Sequence, residues 1–98
     1  PESHQEFVQK AMAESGAGRL GNYDSCAAVF PVTGYWRPLA GAHPLIGEID
    51  DLSSEPEVKI EAICPREAVH EILKAIRSVH PYEVPVISVL PLVNQLFE

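Results

Sequence analysis

The sequence predicts an α+β domain on the ferredoxin-like, split βαβ plan, with an antiparallel sheet and two helices on one of its faces. Three observations lead there. Two stretches carry apolar residues at helical spacing, and each is followed by a run rich in β-formers. Set against itself at an offset of 64 residues, the chain pairs Pro1 with Pro65, Val8 with Ile72, Lys10 with Lys74, Ala11 with Ala75 and Met12 with Ile76. At 98 residues, the chain has the length of one domain, residues 1–98, built from these two similar halves.

The elements follow in order. Ser3 and Glu6 have the spacing of a capping box, and Phe7, Val8, Ala11 and Met12 share one face, so a helix is predicted over 4–15. Gly16 and Gly18 end it. A strand is expected over 24–30. Pro31, Gly34, Pro38, Gly41 and Pro44 then make 31–45 a long loop or an irregular hairpin, with Tyr35, Trp36 and Arg37 in a short strand. Residues 46–49 read as another short extended piece, and 50–56 as an acidic turn. Val58, Ile60, Ala62 and Cys64 alternate with Lys59, Glu61 and Ile63, which predicts a strand with one buried face. Pro65 stands where a first helical residue belongs. Val69, Ile72, Leu73, Ile76 and Val79 form the apolar face of a second helix over 66–78, stopped by His80-Pro81. The β-branched run 84–90 reads as the last strand, edge-like because of Pro85. Residues 92–98 read as a short helix or a free end.

The repeat carries a further expectation. The second helix has a strand in front of it and the first has none, although in this plan that first strand is central. A strand is therefore expected before Pro1 in the natural gene, or a neighbouring chain fills the gap.

Composition narrows the function. With 14 acidic and 7 basic residues the net charge is −7, which disfavours nucleic acid and anionic membranes as partners. The longest apolar stretch, 84–93, is about half of the roughly twenty residues a membrane span needs. Cys26 and Cys64 fit neither a Cys-x-x-Cys site nor a disulfide framework, and read as buried free thiols of a cytoplasmic protein.

Five short motifs occur in order: Gly16 to Cys26 as G-x-G-R-L-G-N-Y-x-x-C, Thr33 to Pro38 as T-G-x-W-R-P, Gly41 to Pro44 as G-A-x-P, Ile46 to Glu48 as I-G-E, and His80 to Glu83 as H-P-Y-E. Together they resemble the PII-like (CutA-like) domain of the NGG-interacting-factor-like family, also found as a free-standing short form. The resemblance covers nearly the whole chain. It implies a ferredoxin-like domain similar to PII and CutA, and assembly as a homotrimer. The dinuclear metal centre of the long members lies in flanking domains absent here, so no dimetal hydrolase activity is implied. Three departures stand out: His43 where asparagine is usual, Val84 where a second glutamate is usual, and the absent leading strand.

The candidate sites are each weighed against a plainer reading. His80 and Glu83, held by Pro81, suit a metal or proton transfer; equally, they are a helix stop with Tyr82 packed in an interface. If the loop 31–48 folds over the sheet, His43, Glu48, Glu61, His80 and Glu83 would converge into a metal set suited to zinc or copper, though their spacing matches no compact ligand motif. Tyr23, Trp36, Arg37, His43 and Tyr82 are the candidates for small-ligand binding, Trp36 and Arg37 being of hot-spot type. The glycine-rich turn at Gly18–Tyr23 carries Arg19 but follows a helix rather than opening one, so helix capping explains it better than anion binding. No catalytic residue is assigned. The expected function is an oligomeric binding or regulatory module, not an enzyme, with small-ligand or metal-ion clefts between subunits. The alternative is a protein–protein assembly domain with no small ligand, and a third reading is a small metal-dependent enzyme.

Overall fold

The structure, a computed structural model, describes all residues 1–98. Its elements are α1 (Gln5–Glu14), β1 (Ala28–Trp36), β2 (Ser53–Glu61) and α2 (Val69–Val79), with single 3-10 turns at Glu2–His4, Arg66–Ala68 and Asn94–Phe97. The fold is α+β: β1 and β2 form a two-stranded antiparallel sheet, accompanied by the two helices.

The first helix starts differently from its capping-box pattern. Ser3 lies inside the 3-10 turn, and its hydroxyl bonds His4 Nδ1 (2.8 Å) instead of capping the helix. A capping side chain needs a non-helical backbone at its own residue, and the turn removes it. Phe7 also departs from the predicted apolar face: it is exposed and lies against the His4 ring. The C-terminus behaves as the glycines predict. Gly16 adopts φ +115°, the Ala17 N–H donates to Met12 O (2.9 Å) and the Gly16 N–H to Ala13 O (3.3 Å). These are the two bonds of a Schellman motif, and they bury Ala17 beside Met12.

Gly18 then stitches three segments together. Its N–H donates to Ile63 O (2.7 Å) and its carbonyl accepts from Cys26 N (3.0 Å). A Cβ at Gly18 would run into the Cys26 backbone, so only glycine fits.

The strands differ most from expectation. β1 begins at Ala28, not 24, and runs without a break through Pro31 to Trp36, where a loop or irregular hairpin with a separate short strand at 35–37 was expected. β2 begins at Ser53, inside the expected acidic turn, and ends at Glu61 rather than Cys64. Both strands absorb a proline. In the register Pro31 faces Val58 and Thr33 faces Pro56, two positions of the same parity. A proline has no N–H to donate, so both nitrogens fit only where the backbone turns outward. The exchanged bonds then fall at Ala28–Glu61, Phe30–Lys59, Val32–Glu57, Gly34–Glu55 and Trp36–Ser53. Because β2 stops early, Cys64 is exposed and Cys26 half-buried; neither is the buried thiol expected. Residues 46–49, expected to be extended, form no strand.

Pro65 has extended backbone (φ −65°, ψ 147°) and precedes the 3-10 turn that leads into α2, instead of being its first residue. α2 ends as predicted: His80, ahead of Pro81, is extended at φ −75°, ψ 130°. Ile72 and Ile76 are buried with Ala17, and Val8, Met12, Ala62, Ala68 and Ile87 pack around them. That is a small core. The run 84–90 forms no strand, and the tail ends in the turn Asn94–Phe97. The radius of gyration is 15.4 Å, above the roughly 13 Å of a compact chain this long.

Candidate functional site

β2 buries opposite faces at its two ends. Val58, Ile60 and, just beyond it, Ala62 are half-buried, Ala62 against the helical core. From Ser53 to Glu57 the parity reverses: Ser53, Glu55 and Glu57 are half-buried, with Trp36 and Gly34 opposite the first two. This far end is covered by the loop 38–50 and by the corner His80–Glu83 after α2.

The centre of the far end is a Tyr82–Glu57 pair, in which the Tyr82 hydroxyl donates to Glu57 Oε2. Glu57 reaches it by lying across Gly34, where any Cβ would collide with its carboxylate. The Tyr82 ring lies 6.4 Å from Trp36 and 5.1 Å from His80, centroid to centroid. The Tyr82 N–H donates to His80 Nδ1 (3.1 Å), so the neutral His80 ring keeps its proton on Nε2. Two bonds pin the loop: the Trp36 indole N–H donates to Ile46 O (3.1 Å), and the His43 N–H donates to Glu83 Oε2 (2.9 Å).

Both titratable rings feel this packing. Burial, then the hydrogen bond and negative charge of Glu57, with Glu55 adding to it, hold the Tyr82 phenol above its ordinary range. Burial lowers the His80 pKa, helped by the positive charge of His4 and opposed by Glu57. The pair thus favours a neutral tyrosine donating to a carboxylate, beside a neutral imidazole.

Of the residues singled out in the sequence, Trp36, His43, His80, Tyr82 and Glu83 meet in this corner. Arg37 borders the same cleft and is exposed, without an ion pair. Tyr23 is exposed elsewhere, in a tight bridge with Leu20. Glu61 is paired with Lys59 (3.1 Å), and no hydrogen bond or ion pair ties the Glu48 side chain to the corner. The five-residue metal set is not assembled within one chain: nowhere do three His, Cys, Asp or Glu side chains come together to hold an ion. Sequence reasoning missed Glu57 and Gly34. A glycine inside a strand marks a close approach, and Gly34 in the Thr33-to-Pro38 motif was that signal.

Comparison with known proteins bears on the whole of this arrangement. No family model matches the chain. It is 43% identical, over its full length, to the GTP cyclohydrolase 1 type 2 homolog of Listeria monocytogenes, and covers 26% of that protein. The Bacillus subtilis protein of the same name is 34% identical over 93% of the chain and 24% of its own length. Among solved structures, a Bacillus cereus protein related to NIF3 superposes with a TM-score of 0.74 at 36% identity, over 86% of this chain and 21% of that one. The chain is NIF3-like. It spans about a quarter of the length of the curated relatives it matches. No helix of this NIF3-like chain is long and apolar enough to cross a membrane.

Proposed function

We propose that this chain is an oligomeric binding or regulatory module on the ferredoxin-like, PII/CutA-like plan, acting as a cytoplasmic homotrimer with small-ligand or metal-ion clefts between subunits. One observation carries the reading: the chain leaves a continuous apolar arm uncovered. Val84, Val86, Leu90, Leu92, Leu96 and Phe97 are all exposed, Val86 by 94%, while the buried core is three residues. Such surface calls for a partner. The corner of Trp36, His43, Glu57, His80 and Tyr82 supplies polar groups for a cleft beside it. A metal ion there needs ligands from more than one copy, because one chain brings no three together.

The second reading, an assembly domain with no small ligand, is favoured by a specific feature of the corner: Tyr82 and Glu57 bond each other, and Glu83 bonds the loop backbone. In either reading the proposed role is a non-catalytic one. Light scattering coupled to size-exclusion chromatography tests assembly; a trimer mass is expected, and a clean monomer at micromolar concentration overturns it. A thermal-shift screen of metals and nucleotides separates the readings: stabilisation by zinc or copper that weakens in His43→Ala and His80→Ala supports clefts, and no shift with any ligand supports pure assembly.

A further inference from the structure

We draw no further inference here: the strongest candidate, the uncharged outer edge of β1 with exposed Val29, Phe30, Val32 and Tyr35, carries nothing because nothing in the structure shows what covers it.

Discussion

The two ends of the β ribbon are stabilised by different physics. At the helix end, Ala62 packs on an apolar core of Ala17, Ile72 and Ile76, where the hydrophobic effect acts without regard to direction. At the far end, the opposite face of the same strand carries Ser53, Glu55 and Glu57, and cover comes from aimed bonds: Tyr82 to Glu57, Trp36 to Ile46, His43 to Glu83. One strand serves both because successive side chains point to opposite faces. The lesson is that the helix end tolerates changes of shape, while the far end depends on individual atoms in position.

The largest effect is expected from breaking the helix end. Ile76→Ala removes a side chain that is 6% exposed from a three-residue core, and should cost about 2–5 kcal/mol in urea unfolding. The far end should break at Gly34. Gly34→Ala pushes a methyl into the Glu57 carboxylate and should cost about 1–3 kcal/mol. In a Tyr82→Phe background the penalty should shrink, since Glu57 is then free to move; an unchanged penalty in that double-mutant cycle would show that Gly34 serves something other than the Tyr82 bond. Gly16→Ala, back at the helix end, forces a Cβ onto φ +115° and should lower stability by about 1 kcal/mol without disturbing Tyr82 fluorescence.

The smallest effect is the pH response, which belongs to the far end alone. His80 is held below its ordinary 6.5, so the unfolded chain takes up that proton more readily than the folded one. Its contribution is therefore complete above pH 6.5 and lost as pH falls through and below that value. Tyr82 is shifted the other way: its contribution is complete below pH 10.0 and declines above it. Thermal unfolding against pH should show both limbs in the parent. His80→Gln should flatten the acid limb and Tyr82→Phe the alkaline one, while Ile76→Ala should keep both.

Much of the corner was legible before the structure. His80-Pro81 marks the end of α2 because a residue before proline avoids helical geometry, and His43, His80 and Glu83 stood among the five residues expected to converge, with Trp36 and Tyr82 singled out separately as ligand candidates. Glu57 was not, because an acidic residue next to Pro56 looks like part of a turn. The turn reading failed because Pro31 and Pro56 fall on the same register parity, which lets both sit in a ribbon with open outer edges. Within one chain the metal set does not come together, for a related reason: Glu61 lies at the helix end of β2, paired with Lys59.

By itself the sequence determined the local structure: two helices at their predicted positions, the Schellman end at Gly16, the stop at His80, and an NIF3-like identity carried by five short motifs. These depend on neighbours within a few residues, where backbone sterics and hydrogen bonding decide. The tertiary structure decided how far the strands run, which face of β2 is covered at each end, and that 84–90 lies extended but unpaired. Those are properties of two surfaces brought together. A strand is a strand only when another backbone lies beside it, and no stretch of sequence contains its own partner.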